Sequence, residues 1–156
     1  MSNYEQNEDT LDSLDETLED LADLPQNKPF PAGTHLALLK IRKNPKKAGQ
    51  YVVEMTHQET VELANPNTPE EEQPKMGDKS TVFISTKKKD GTPNDIGQGQ
   101  LKIVLSPIGK MLETNSIGAI LENTKEGILA AVTLKIKADT SGNYDDQNQI
   151  VSVQLQ

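Results

Sequence analysis

Leu101-Lys102-Ile103-Val104-Leu105-Ser106-Pro107-Ile108-Gly109-Lys110-Met111-Leu112 is the stretch on which the fold turns, because the hydrophobic period changes there. Leu101, Val104, Leu105, Ile108, Met111 and Leu112 recur at helical spacing, with Lys102 and Lys110 on other faces. Pro107 inside that pattern predicts a helix that kinks or splits in two. Ile117 to Asn123 reads as a further short helix.

On the N-terminal side the period is two. Leu39 and Ile41 alternate with Lys40 and Arg42 in a strand over His35 to Arg42, and Asn44-Pro45-Lys46-Lys47-Ala48-Gly49 is a turn. Tyr51, Val53 and Met55 against Val52, Glu54 and Thr56 begin a second strand that continues through Val61 and Leu63. Asn65 to Asp78 carries Pro66, Pro69, Pro74 and Glu70-Glu71-Glu72, the mark of a long exposed loop. Thr81 to Thr86 is a third, β-branched strand, and Lys87 to Gly99 a second loop.

Beyond the helical stretch the period returns to two. Val132, Leu134 and Ile136 face one way and Thr133, Lys135 and Lys137 the other over Leu129 to Ala138. Ser141-Gly142-Asn143 is a turn, and Gln149 to Leu155 closes a hairpin. The order is three strands, a helix and two strands. That order predicts an α+β, mainly antiparallel β fold, an OB-fold-like five-stranded barrel with a helix between strands 3 and 4. It also suits other small antiparallel α+β folds.

With 156 residues the chain is sized for one domain, and it contains no cysteine. Zinc ribbons, thiol catalysis and disulfide scaffolds are thereby excluded. The longest apolar run, Ile128 to Val132, is far shorter than a membrane span, and the first residues lack a positive stretch leading into an apolar one. The expected location is the cytoplasm, with no membrane partner.

The net charge of −8 is unevenly spread. Residues 1–27 hold nine carboxylates and no Lys or Arg, leaving 15 acids against 16 bases in residues 28–156. The first 27 residues are therefore an acidic tail at −9, and the body is close to neutral at +1. Within the tail Leu11, Leu14, Leu18 and Leu21 are spaced three, four and three apart, one stripe of a helix. Like-charge pairs four apart, such as Asp12 with Glu16, each oppose an isolated helix by about 0.2–0.5 kcal/mol. The tail, partly helical or disordered, is expected to bind a partner or mask the body through this stripe, or else to be a solvated, solubilising segment or a helix that caps its own domain. Pro25, Pro29 and Pro31 make the linker that follows.

No arrangement of residues signals catalysis. His35 and His57 are the only histidines, and neither has a second ligand at metal-binding spacing. Gly97-Gln98-Gly99 precedes the helix without the further residues of a phosphate-binding loop, so it reads as helix initiation. No catalytic residue, metal or cofactor is expected, and the chain reads as a non-enzyme. The bases are better organised. Lys40, Arg42, Lys43, Lys46 and Lys47 place five of 16 within eight residues, and Lys87, Lys88 and Lys89 open the loop after the third strand. In an OB barrel the first hairpin loop and the face of strands 2 and 3 bind single strands by phosphate contacts and base stacking. Tyr51 and Phe83 lie on those strands, as candidate stacking rings or core residues.

Phe30-Pro31-Ala32-Gly33 before the first strand, Gly97-Gln98-Gly99-Gln100-Leu101 at the helix, and Gly142-Asn143-Tyr144 with Asn148-Gln149-Ile150 in the closing hairpin carry a resemblance. Over about residues 28 to 156 the body resembles phage-encoded OB-fold single-stranded DNA-binding proteins that accompany replication and recombination genes. The resemblance implies cooperative, sequence-tolerant coating of single-stranded DNA in the host cytoplasm, with an acidic segment that recruits replication or recombination proteins. His35 stands where such proteins often carry an aromatic residue, and the acidic segment of better-known single-strand binders is usually C-terminal. Two other readings suit a proline-rich arm on a compact β body: a virion structural or decoration protein, and an acidic inhibitor of a host DNA-binding factor.

Overall fold

The computed structural model describes residues 28–138 and 146–156. The acidic tail with its leucine stripe, and the turn at Ser141-Gly142-Asn143 with Tyr144, lie outside the described residues. Five strands form one antiparallel sheet: β1 (Gly33–Lys43), β2 (Gln50–Leu63), β3 (Lys79–Ser85), β4 (Ile128–Lys137) and β5 (Gln147–Leu155). Their order across the sheet is β3-β2-β1-β4-β5. Two helices, α1 (Asp95–Leu112) and α2 (Ile117–Asn123), separate β3 from β4 in the chain, and Glu70–Glu72 forms a single 3-10 turn in the loop after β2. No helix among the described residues is long and apolar enough to cross a membrane.

The alternation of each strand buries one face. Ala37, Leu39 and Ile41 of β1, Val53 and Met55 of β2, Val82 and Ile84 of β3 and Val132 and Leu134 of β4 form the core with Leu101, Val104 and Ile108 of α1. Extra residues bend the sheet around this core. Gln58 and Val61 are unpaired in the β1–β2 ladder, and Val151 in the β4–β5 ladder. Each such bulge adds local twist. The sheet curls into a half-barrel until its edge strands β3 and β5 meet. There the side-chain amide of Gln147 does the work of a neighbouring peptide: Phe83 N donates to Oε1 and Nε2 donates to Phe83 O, both at 3.3 Å. Asn148, fully buried, sits beside it.

The helix departs from the sequence expectation at both of its marked positions. It begins at Asp95, inside the stretch expected as loop, because the Asn94 side chain accepts a hydrogen bond from Gly97 N at 3.2 Å and caps it. Gly97-Gln98-Gly99 therefore lies within the first turns rather than before them. Gly97 is a packing glycine, since a Cβ there would fall 1.8 Å from the Ser85 carbonyl oxygen. Pro107 neither splits the helix nor ends it. The carbonyl it deprives of a partner is that of Ile103, an exposed residue, where water can satisfy it.

A short arm, residues 28–32, precedes β1 and is tied down at three successive residues. Phe30 N donates to Asn148 Oδ1 at 2.8 Å and Asn148 Nδ2 donates to Phe30 O at 2.9 Å. Pro31 O accepts from His35 Nε2 at 2.7 Å, and Ala32 O accepts from Ala64 N at 2.9 Å. The bulge at Gln58 brings His57 and Thr60 to one face, around His35. His35 Nδ1 and His57 Nε2 are 3.2 Å apart, both rings are buried, and the Phe30 ring packs on both. The two histidines expected as separate strand residues thus form one buried pair. Because a carbonyl only accepts, His35 carries its proton on Nε2. Its Nδ1 is then an acceptor, within reach of His57 Nε2 at 3.2 Å and of the Thr60 hydroxyl at 3.4 Å, and that hydroxyl also lies 3.1 Å from His57 Nε2.

Burial holds both imidazoles below their ordinary value of 6.5; for His57 the neighbouring His35 adds to this, against smaller pulls from the Lys75 carbonyl and Asp78. An imidazole with a depressed folded pKa takes up its proton more readily when unfolded. Its contribution is fully present above about pH 6.5 and is lost as pH falls from there through the folded values. Urea midpoints are therefore expected to decline from pH 7.5 to 5.5. An unchanged midpoint would mean that the pair is not held neutral.

Candidate functional site

The outer face of β1 carries two exposed cations. Lys40 and Arg42 are exposed on β1, alternating with the buried Leu39 and Ile41. Arg42 lies opposite Val52, and Val52 lies opposite Phe83. Phe83 is 43% exposed, whereas Val52 is 1% exposed although it stands outside the core cluster, on the opposite face from Val53. One row across three strands thus presents a cation, a covered apolar floor and an open aromatic ring. In the next row Lys40 faces Glu54, and Glu54 faces Thr81. Glu54 makes a long 3.9 Å contact with Lys79, an exposed pair of little energetic weight.

Lys43 ends β1, and Lys46 and Lys47 are exposed in the turn that follows. Asn44 builds that turn. Its N–H donates to Gln50 O at 2.9 Å, its Nδ2 to Gln50 Oε1 at 2.6 Å, and its Oδ1 accepts from Lys46 N at 3.0 Å. The turn is fastened to the loop after β3. Both the N–H and the hydroxyl of Thr86 donate to Gly49 O, at 2.8 and 2.6 Å. Gly49 has φ +78, and a Cβ there would lie 3.1 Å from Lys87 Cγ, so the Lys87 stem runs over it. Lys88 N donates to Thr92 O at 2.8 Å, closing the loop that exposes Lys87, Lys88 and Lys89.

Two basic segments 40 residues apart are in this way brought to one end of the sheet, next to Arg42. Asp90 is the sole acid in residues 42–49 and 86–94. The Thr92 hydroxyl and N–H bind its carboxylate and hold its pKa below the usual value.

Tyr51 does not join this group. It lies on the inner face with Val53 and Met55, packs against the core, and lines a cleft of about 850 Å³ bordered by α1 and α2. The two candidate aromatics therefore point to opposite faces of the sheet. Lys137 is a cation that the sequence reading left out of the site. It pairs in the ladder with Gln147, whose amide holds Phe83. Its alternation with Ile136 marks it only as solvent-facing; its nearness to β3 follows from closure of the half-barrel, which no local pattern encodes.

Comparison with protein families, with curated proteins and with solved structures finds no match to this chain.

Proposed function

We propose that the protein binds single-stranded DNA with little regard to sequence, through the outer face of β1, β2 and β3 and the two basic loops at its end. The observation that carries this reading is the row Arg42–Val52–Phe83 with Lys43, Lys46, Lys47, Lys87, Lys88 and Lys89 gathered beside it. Lysines on mobile stems neutralise phosphates without reading bases, and an exposed ring on an apolar floor offers any base a stacking surface. The strand order also supports an OB-fold assignment. With β1 central, β2 and β4 at its sides and β3 against β5, the proposed face is the one such folds use for single strands. Together with the resemblance in residues 28 to 156, this favours a role in phage DNA replication or recombination. The acidic segment 1–27 would then recruit partner proteins or mask the body.

Titration of a fluorescent oligo-dT across a range of salt tests the reading. Binding is expected to weaken linearly in log K against log salt. Lys43→Ala combined with Lys46→Ala is expected to flatten that slope by about 0.7 per lost contact, alike for every oligonucleotide sequence. Binding with an unchanged slope would remove these lysines from the contact surface. Absence of any binding at low salt would remove the function.

A further inference from the structure

The cleft between α1 and α2 is not used by the proposed face, and its make-up specifies an occupant. Its walls combine Tyr51, Leu101, Leu105 and Ile120 with Ile117, which is 40% exposed at the rim. Lys102 and Lys110 stand exposed along the same cleft, with Glu113 the acid among its lining residues. Such a groove, apolar within and cationic at the edge, suits an amphipathic helix that presents apolar residues at i, i+3, i+4 and i+7 with carboxylates around them. Leu11, Leu14, Leu18 and Leu21, at i, i+3, i+7 and i+10, fall on one such helical stripe, in a stretch, residues 1–27, with nine acids and no base.

The length of the connection fits the chain's own segment. Lys28 and Lys79 line the same crevice, so the arm enters the fold beside the start of β3. Thr86 lines the cleft just past the end of β3, seven positions on from Lys79, about 23 Å at 3.3 Å per residue. Seven residues also separate Leu21 from Lys28, and extended they span up to about 25 Å. The tether reaches the cleft when extended, and the acidic segment is complementary to Lys102 and Lys110 along its edge.

We infer that the acidic leucine-striped segment of residues 11–21 docks in the α1–α2 cleft of its own chain. The inference stands whether or not the basic face takes DNA. Seated there, the segment brings its carboxylates beside Thr86 and Lys87, so the cleft is a docking site next to the basic loops rather than on them.

The absence of cysteine makes the test clean. In the full chain, Ser13→Cys carries a nitroxide label, and methyl signals of the isoleucines are recorded with the label oxidised and then reduced. The Ile117 and Ile120 methyl signals are expected to lose most of their intensity while the label is oxidised. Leu14→Ser with Leu18→Ser, which leaves the body unchanged, is expected to restore them. Undiminished Ile117 and Ile120 signals would overturn the proposal. So would loss that persists in a mixed sample with label and isotope on different molecules, which assigns the cleft to a second copy. Loss confined to amides of residues 42–47 and 87–89, recorded on the same sample, would also overturn it, by seating the segment on the basic loops.

Discussion

Asn148→Ala is expected to lower the stability of the protein by about 3–5 kcal/mol, read as a fall in urea midpoint and in melting temperature. The reason is the number of groups that one buried amide satisfies. Asn148 Oδ1 accepts from Phe30 N at 2.8 Å and from the Ser80 hydroxyl at 3.1 Å. Nδ2 donates to Phe30 O at 2.9 Å and to Lys135 O at 3.1 Å. An amide has two donors and two main acceptor directions, so all of its capacity is used. Truncation removes the bonds and leaves buried donors and acceptors behind, each at about 1–3 kcal/mol. Water entering the space would recover part of this, so the sum falls below the simple total. Asn148→Asp keeps the acceptor but loses both donor bonds and buries a charge, so it is expected to be no milder than the alanine variant. A melting temperature within a degree or two of the parent for both variants would show that the seam between β3 and β5 carries no stability.

Phe83→Ala is expected to lower affinity for single-stranded DNA by about 1–3 kcal/mol, roughly 5- to 150-fold, the range for loss of one stacking ring. Its cost in stability is expected to be far smaller than the about 3–5 kcal/mol of a buried phenylalanine, because the ring stands open on the outer face. Tyr51→Ala supplies the contrast: its ring packs on the core, so stability is expected to fall with affinity largely kept at temperatures below the melt. Oligo-dT affinity and thermal melts on the same two proteins separate the cases. If Phe83→Ala lowers the melt and leaves binding intact, Phe83 belongs to the support of Val52 and the stacking surface is lost from the proposal.

The strands and helices were legible wherever a local period governs burial. Leu39 and Ile41 alternate with Lys40 and Arg42 both as letters and in the structure. Ile117–Asn123 is helical over the range its sequence suggests. The five antiparallel strands follow from such patterns. What escaped the sequence depends on contacts between distant residues. Val52 reads as a solvent-face residue and is buried, in register with Arg42 on β1 and Phe83 on β3. Gly97 reads as a helix starter because the carbonyl of Ser85, which it must clear, is twelve residues away. His35 and His57 look ordinary singly, and become a buried pair through the bulge at Gln58. The candidate site shows the same division. Its basic runs are plain in the letters, but their union depends on two hydrogen bonds to Gly49, and the separation of Phe83 from Tyr51 depends on strand register.

The arm that joins residues 1–27 to the body is built to take load. Pull on the tail, as a partner gripping it would exert, enters the fold at Phe30 and meets Asn148 on β5, His35 on β1 and Ala64 beyond β2 within three residues. The arm is thus fixed to three strands or their ends rather than to one, so freeing it requires breaking contacts to β5, β1 and the residue after β2.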